Sequence, residues 1–342
     1  MIRKSLSAAS AATLACAAAI LVHGPAAAEP QQSFAGRTIT LTIGYGPGSG
    51  NDVYGRLIAR HIGRHIPGQP NVVPQNMPGA GSFKAANYLF QAAPKDGTSL
   101  GYISQTAATE ELLGSQAIQF KTAQFNWIGR IGSYNNITIF WHTSRIKTIA
   151  DALKMDSTMG ATGVGSAVYI YPNMMNKVLG TKFKIVSGYQ GTAQTSLAME
   201  RGEVEGVTMG WFPVKTTKRD WVEQKKINFL VQFLTERHAD LLDVPTIVEL
   251  ARSTEEKQLF SLFANDGEVG KAILAPPGMS PATVTMLRRA FDAMTKDRDY
   301  IADADKLQLE TDSMTGERLQ KLIETVMATP TSVVERAKSV LK

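Results

Sequence analysis

Cysteine is almost absent from this chain. Its 342 residues include a single cysteine, Cys16, which lies in an N-terminal segment that we expect to be removed. A chain without cysteine forms no disulfides and offers no thiolate as a nucleophile or as a metal ligand. We therefore exclude disulfide scaffolds, thiol catalysis and cysteine metal sites for the mature protein.

Apolar runs long enough to span a bilayer are also lacking. The apolar run at residues 14–22 is too short, follows the basic residues Arg3 and Lys4, and precedes three alanines at 26–28. A basic start, a short apolar run and a small-residue cleavage site are typical of an export signal. We predict that residues 1–28 are a signal peptide, which leaves 314 of the 342 residues for a mature chain that works in the periplasm.

Clusters of basic residues are lacking as well. The formal net charge is +6, and removal of Arg3 and Lys4 lowers it to +4. No run of lysine and arginine is interleaved with aromatic residues, so we exclude nucleic acid as a partner. A weakly positive protein is instead suited to attracting small anions.

A strand, a glycine-rich loop and a helix start follow one another between residues 38 and 56. Apolar residues alternate with threonine over Thr38–Gly44, which predicts a β-strand, and the loop after it runs from Gly46 to Gly50. Asn51 and Asp52 then begin a helix, whose first N–H groups have no partner within the helix and attract anions. The loop is therefore either an ordinary turn or an anion site, and its glycines do not fit the spacing of a dinucleotide fingerprint.

Strands and helices continue to alternate after this loop. A short strand at residues 72–73, a helix at 83–92 and a strand at 100–104 follow in order. Such alternation predicts a parallel sheet with a ligand site at the carboxyl ends of its strands. Ser49 and Thr106 both fall at such ends.

A second α/β domain is predicted because the same order of strand, glycine-rich loop and helix begins again after Thr143. The loops at 162–166 and 187–192 each follow a strand and precede a helix. We assign residues 29–143 and 234–342 to domain 1 and residues 144–233 to domain 2. Glycine-rich loops on both domains predict a cleft that has donors on both walls and closes by a hinge motion.

Two further assignments have alternatives. Trp211 ends a predicted strand, where it either packs in the core or covers the apolar body of a ligand. Asp52 or Glu205 could serve as the general base of an exported hydrolase or lyase. No nucleophile elbow or metal motif accompanies them, so we do not favour an enzyme.

Six segments, taken in their order and spacing, resemble one known family over nearly all of the mature chain. They are the glycine loop with Asp52 and Arg56, the Asn76–Gly81 turn, the Pro94–Gly97 turn, the Gly163–Ser166 loop, Tyr189-Gln190-Gly191, and Asp243-Val244-Pro245-Thr246. The chain resembles the extracytoplasmic solute receptors of tripartite tricarboxylate transporters, called the Bug or TctC family.

The resemblance implies a two-domain fold of the periplasmic-binding-protein type (type II), with two crossing strands as hinge and the ligand cleft between the domains. It also implies a monomeric receptor without cofactor or metal. This receptor would deliver a carboxylate, which is either an aliphatic dicarboxylate or an aromatic acid, to the membrane permease subunits. A ligand-binding module for a sensor kinase would use the same site and stays open as an alternative.

In such receptors the ligand carboxylate is held by backbone N–H groups and hydroxyls of facing loops. Carried over to this sequence, the ligand-binding residues implied are Tyr45, Pro47, Gly48, Ser49, Asn51, Asp52, Thr106, Ala107, Thr162, Gly163, Ser166, Tyr189, Gln190, Gly191, Thr192 and Trp211. The chain departs from the family pattern at Gln190, where a lysine is usual, at Glu110-Glu111 and at Glu205. The missing lysine suggests a ligand that carries less charge than citrate.

Overall fold

Two β-sheets carry the structure, a computed structural model that describes residues 33–162, 166–189 and 191–341. The predicted signal peptide, Gly163 and Gln190 lie outside the described residues. The strands are β1 (Thr38–Ile43), β2 (Asn71–Asn76), β3 (Ser99–Tyr102), β4 (Asn126–Gly132), β5 (Asn136–Trp141), β6 (Ser157–Gly160), β7 (Phe183–Val186), β8 (Gly206–Gly210), β9 (Ile227–Gln232), β10 (Lys271–Ala275) and β11 (Met314–Thr315).

Thirteen α-helices surround the sheets within the described residues. They are α1 (Gly50–Ile62), α2 (Phe83–Gln91), α3 (Ala107–Leu113), α4 (Ile149–Lys154), α5 (Ala167–Met174), α6 (Thr192–Glu200), α7 (Trp211–Thr217), α8 (Arg219–Glu223), α9 (Thr254–Val269), α10 (Pro281–Met294), α11 (Arg298–Lys306), α12 (Gly316–Met327) and α13 (Thr331–Leu341). None of these described helices combines the length and the apolar character needed to cross a bilayer.

The first sheet has the strand order β11-β4-β10-β3-β1-β2. The strands β1, β2 and β3 are parallel, as the alternation of strands and helices predicts. In contrast, β10 runs antiparallel to both β3 and β4. The first residue of β10 therefore lies at the same edge of the sheet as the carboxyl ends of β1, β3 and β4.

The second sheet has the order β7-β6-β8-β5-β9. Its strand β6 is parallel to β7 and β8, whereas β5 is antiparallel to β8 and β9. The chain therefore passes from the first sheet to the second at residues 133–135, between β4 and β5, and leaves the second sheet after Gln232.

The change of sheet precedes the predicted domain edge at Thr143 by ten residues. Strand β5 pairs along its whole length with β8 and β9, so it belongs to the second sheet and not to the first. The alternation of strands and helices could not indicate this, because β4 and β5 follow each other with no helix between them. The division of the chain into two domains stays a prediction.

The helix α1 packs on the first sheet through one apolar face. Leu57, Ile58 and Ile62 are fully buried there, as the three- and four-residue spacing predicts. Gly55 allows the close approach, since a Cβ at this position would lie 2.5 Å from Cδ1 of Ile43. This contact fixes the helix, and with it the glycine-rich loop, against β1.

An apolar core also joins helices of the two sheets: α3 follows a strand of the first sheet, and α5 follows a strand of the second. Helix α13 packs against α3, α5 and α9. The ring of Tyr171 on α5 stacks on Phe233, which directly follows β9, with 4.1 Å between the ring centroids. The two sheets are thus linked by helix packing as well as by the two crossing segments.

Candidate ligand-binding cleft

A cavity of about 420 Å³ lies between the two sheets and takes its lining from both. It receives the N-termini of α1, α5 and α6, the carboxyl end of β8 and the crossing segment after β4. Its lining residues are Gly50, Asn51, Tyr54, Ser133, Tyr134, Asn135, Asn136, Val168, Thr192, Met209, Gly210, Phe212, Pro213, Lys271, Leu309 and Glu310. We call this cavity the cleft.

The N-terminus of α1 is built by the glycine-rich loop. Ser49 caps the helix, because its Oγ accepts a hydrogen bond from the Asp52 N–H at 3.2 Å. Gly48 has a φ of 76°, which L side chains rarely adopt. The cap and this turn present the first residues of α1, Gly50 and Asn51, to the cleft.

Asp52 braces the loop from behind. Its carboxylate accepts hydrogen bonds from the Gly48 N–H at 2.8 Å, the Arg56 Nε at 2.9 Å and the Asn76 Nδ2 at 2.7 Å. Burial raises the pKa of Asp52, but these hydrogen bonds outweigh burial and hold the pKa below its ordinary value. The carboxylate is therefore charged at neutral pH, and its acceptor oxygens are used within the loop.

Asn51 is held by a tyrosine of the neighbouring strand. The Tyr102 hydroxyl donates to Asn51 Oδ1 at 2.9 Å. Because that oxygen is engaged, the Nδ2 amide is the group that Asn51 can offer as a donor. Asn51 thus contributes a fixed donor to the cleft.

A second cavity of about 420 Å³ adjoins the cleft and shares Asn51 and Tyr134 with it. Its other lining residues are Gly44, Tyr45, Gly46, Pro78, Gly79, Gly81, Ser82, Ser104 and Gln105. Burial raises the pKa of Tyr45 to about 12, so its hydroxyl keeps its proton and can donate. The turn after β2 and the end of β3 form most of this side.

The facing wall belongs to the second sheet. Gly191 stands at the N-cap position of α6, and Thr192, the first residue of that helix, is exposed and lines the cleft. On the preceding loop, the Thr162 hydroxyl donates to Ser166 Oγ at 2.9 Å, directly before α5. The first turns of α5 and α6 therefore approach the cleft opposite α1.

The far side of the cleft holds two charged residues, Lys271 and Glu310. Glu310 pairs with His238, whose Nε2 lies 3.2 Å from Oε1 of the carboxylate. The hydrogen bond with Glu310 is the main reason why the pKa of His238 is raised. At this side, therefore, the acidic group already has a hydrogen-bond partner in His238.

The profile of the family described as "Tripartite tricarboxylate transporter family receptor" matches residues 56–338. The chain belongs to this receptor family. The resemblance seen in the sequence motifs is thereby confirmed. Among curated relatives, the receptor is similar to the UPF0065 protein in the gbd 5' region of Cupriavidus necator, with 25% identity over 331 residues and 94% of each chain covered.

Solved structures of solute-binding proteins share the fold of the receptor. A TctC solute-binding protein from Polaromonas superposes with a TM-score of 0.70 at 19% identity, covering 89% of this chain and all of that one. The R. palustris protein Rpa4515, solved with adipate, gives 0.58 at 19% identity and covers 88% of this chain and 97% of its own. The predicted periplasmic-binding-protein fold is confirmed.

The predicted ligand residues of the receptor fall into three groups. Asn51 and Thr192 line the cleft, and Tyr45 lines the adjoining cavity. A second group lies in the loops after β1, β3, β6 and β7, without lining either cavity: Pro47, Gly48, Ser49, Thr106, Thr162, Ser166, Tyr189 and Gly191. Asp52, Ala107 and Trp211 are buried away from both cavities.

The Trp211 side chain packs in the core and does not cover the cleft. It is 5% exposed, its ring contacts Phe229 edge to face at 5.8 Å, and its Nε1 donates to Asp240 at 3.0 Å. Its neighbour Phe212 lines the cleft in its place. Helix α7 begins at Trp211, and successive residues of a helix point in different directions, which the strand-end interpretation did not anticipate.

Ala107 and Asp52 also serve the fold. The Ala107 side chain is 1% exposed within the apolar core, and its N–H donates to the Ser104 carbonyl in the turn that starts α3. Ser104 and Gln105, just before it, line the second cavity instead. The loop after β3 therefore borders the second cavity through Ser104 and Gln105, and not through Ala107.

Several cleft residues were not predicted from the sequence. The crossing segment at residues 133–135 and the first residue of β5, Asn136, line the cleft, yet they follow a strand with no glycine-rich turn to mark them. Lys271 did carry a signal, because it is the single charged residue at the start of a strand that is otherwise apolar. Tyr54 lies one turn into α1, where its position resembles an ordinary core residue.

The two carboxylates considered as a general base lie far apart in the fold. Asp52 is committed to the loop before α1. Glu205 precedes β8, at the edge of the second sheet opposite the cleft, and accepts hydrogen bonds from the Thr158 N–H at 3.1 Å and the Ser144 hydroxyl at 3.0 Å. Neither carboxylate lines the cleft, so the geometry gives no support to the hydrolase alternative.

Proposed function

We propose that the receptor captures a small carboxylate in the cleft and delivers it to the membrane permease subunits of a tripartite tricarboxylate-type transporter. The receptor family supports this role, and the relative Rpa4515 was solved with adipate, a carboxylate. The site of action is the periplasm, after removal of the predicted signal peptide.

The observation that carries the proposal is the meeting of helix N-termini from both sheets at one cavity. Gly50 and Asn51 begin α1 on one wall, and Thr192 begins α6 on the other. Free N–H groups and the helix dipole favour a negative charge at such positions. Apolar residues from the second sheet, Met209 and Phe212, offer a surface for the carbon skeleton of the ligand.

Capture requires that both walls contact the same ligand. A ligand that contacts both walls stabilises whichever arrangement of the two sheets brings the walls together. The segments at residues 133–135 and after Gln232 connect the sheets and are the places where such a motion can occur. A permease can then distinguish the loaded receptor from the empty one by its shape.

A thermal-shift screen of residues 29–342 tests the proposal, since the compact unit begins at Ser33. The panel contains aliphatic dicarboxylates, citrate and aromatic acids. A ligand at a hundred times its dissociation constant stabilises the folded state by about 2.7 kcal/mol, which raises the melting temperature by several degrees. We expect a clear shift with one class, and recovery of the compound unchanged.

The proposal is contradicted if no acid of the panel raises the melting temperature of a protein that is shown to carry no bound ligand. Mass spectrometry of the denatured sample establishes whether a ligand was carried through purification. Chemical conversion of a bound acid would instead support an enzyme.

A further inference from the structure

Lys271 is a buried cation at the edge of the cleft. It is the first residue of β10, is 6% exposed and lines the cavity. Its Nζ donates to the Ser133 main-chain carbonyl and lies 4.4 Å and 5.0 Å from the ring centroids of Tyr134 and Tyr54. An ammonium has three N–H donors, and one carbonyl accounts for one of them.

The carboxylates around Lys271 are engaged elsewhere. Glu310 pairs with His238, and Asp312 lies 3.1 Å from the guanidinium of Arg130 and accepts from the Ser133 N–H at 2.6 Å. Among the described residues, no carboxylate oxygen lies within 4.0 Å of the Lys271 Nζ. The ammonium is therefore held near the cleft by a dipole and two ring faces, without an anionic partner.

Next to Lys271, two buried polar atoms of the crossing segment lack hydrogen-bond partners. Ser133 and Asn135 are 1% and 3% exposed, and both line the cleft. Within the described part of the chain, Ser133 Oγ and Asn135 Oδ1 have no hydrogen-bond partner. A buried polar atom left unpaired costs free energy, so its retention needs an explanation such as a bound ligand.

We propose that Lys271 and Ser133 form an anion subsite in the cleft that binds a second carboxylate of the ligand. The inference rests on the proposed function, in which a first carboxylate lies at the N-termini of α1 and α6. Lys271 supplies a charged donor and Ser133 a hydroxyl donor, and Met209 and Phe212 border the space shared by the two donor sets. The ligand class is therefore a dicarboxylate with an apolar chain.

The protonation of Lys271 gives the subsite a pH dependence. The pKa of Lys271 is lowered from 10.5 to about 8, mainly by burial; Glu310 and Asp312 oppose this change and Arg130 adds to it. Tyr54 and Tyr134 have pKa values raised by burial, so both stay neutral while Lys271 titrates. A carboxylate favours the charged ammonium, so the affinity for a dicarboxylate falls above pH 8, by at most about tenfold per pH unit.

Titration calorimetry with residues 29–342 tests the subsite. The probes are succinate, adipate and suberate, each beside its monoamide, which keeps the chain and removes one charge. We expect the wild type to bind its preferred diacid at least about tenfold more tightly than the monoamide. Lys271→Met should weaken diacid binding by about tenfold or more, and change monoamide binding by less than about threefold.

Two further variants separate a ligand contact from a structural role. Ser133→Ala removes an unpaired hydroxyl, so it should leave the melting temperature unchanged or raise it, while weakening diacid binding about fivefold. Lys321→Met makes the same charge change at an exposed position on α12 and should bind as the wild type does. The fall in affinity above pH 8 should persist in Lys321→Met and disappear in Lys271→Met.

Each contrary result has a separate meaning. Equal losses for diacid and monoamide in Lys271→Met, or a wild type that does not prefer the diacid, would overturn the subsite and leave the proposed function standing. A wild type that binds no acid would overturn both. If Lys271→Met does not fold, Ser133→Ala and the wild-type pH profile decide, and unchanged diacid affinity in both would overturn the subsite.

Discussion

Asp52 shows how one residue can shape the loop beside the cleft without lining the cleft itself. Its carboxylate joins Gly48 in the loop, Arg56 on α1 and Asn76 at the end of β2. Asp52→Asn removes the charge and one acceptor oxygen, so we expect the free energy of unfolding to fall by about 1–2 kcal/mol. Urea denaturation at pH 7 measures this loss.

The same substitution has a predicted pH dependence. Because the pKa of Asp52 is lowered in the folded state, its stabilising effect is complete above the ordinary aspartate pKa of 3.8 and is lost as the pH falls through the folded value. The difference between wild type and Asp52→Asn should therefore shrink in acid. Asp305→Asn, at an exposed position on α11, is the control, and an equal loss in that variant would contradict the role assigned to Asp52.

Trp211 and Phe212 are neighbours with different roles. Trp211→Phe removes the hydrogen bond to Asp240 and should cost about 1 kcal/mol of stability, with ligand affinity unchanged. Phe212→Ala removes apolar surface from the cleft and should weaken binding about fivefold. Unfolding and binding are measured on both variants. Weaker binding by Trp211→Phe, with unchanged binding by Phe212→Ala, would place Trp211, and not Phe212, against the ligand.

Single strands and helices were predicted well wherever the sequence showed both a repeating pattern of apolar residues and a glycine-rich loop that ends the element. The threonine alternation of β1, the loop and the apolar face of α1 are all confirmed, because each element buries one face against the other. The sheet to which β5 belongs could not be predicted in the same way. Its residues alternate as any strand does, and only long-range pairing with β8 and β9 determines its sheet.

The direction in which side chains point was the main limit on predicting the lining residues of the site from the sequence. The predicted loops reach the cleft, yet Ala107 and Trp211 point into the core, whereas Ser104 and Phe212, on the same segments, line the cavities. A motif locates a segment of backbone, and the helix that follows determines which of its residues line the cavities. Lys271 was missed because it lies far along the chain from every loop motif.

Helix α9 contains a half-buried acid, Asp266, at its contact with α3. Asp266 accepts a hydrogen bond from the Thr109 hydroxyl at 2.6 Å, and burial raises its pKa from 3.8 to about 8. Glu110 adds to this increase. The folded protein therefore holds a proton that the unfolded chain releases, so this group makes the protein less stable as the pH rises from about 4 to about 8.

Asp266→Asn should remove that loss of stability, because the amide resembles the protonated acid in shape and in its ability to accept from Thr109. We expect the variant to gain stability relative to the wild type between pH 5 and pH 8, as measured by urea denaturation at both values. Asp305→Asn again serves as control. A constant difference between Asp266→Asn and wild type would show that Asp266 is ionised in the folded protein.

At the scale of the whole molecule, the two sheets supply different parts of one cleft. The first contributes the fixed donors of α1 and the charged residues Lys271 and Glu310, and the second contributes Thr192 and most of the apolar wall. Because neither sheet can surround a ligand by itself, binding depends on both together. This division of the lining is the physical basis of the proposed receptor function.

The measurement that tests this account most directly is calorimetric titration of a cleft variant, Asn51→Ala combined with Thr192→Val, with the acid chosen by the thermal-shift screen. The variant removes one donor from each wall. Asn71→Ala combined with Thr325→Val makes the same chemical changes at exposed positions outside the cleft. We predict one bound acid per wild-type chain, an affinity at least about tenfold lower in the cleft variant, and wild-type affinity in the control. Equal binding by all three proteins would place the ligand elsewhere and contradict the account.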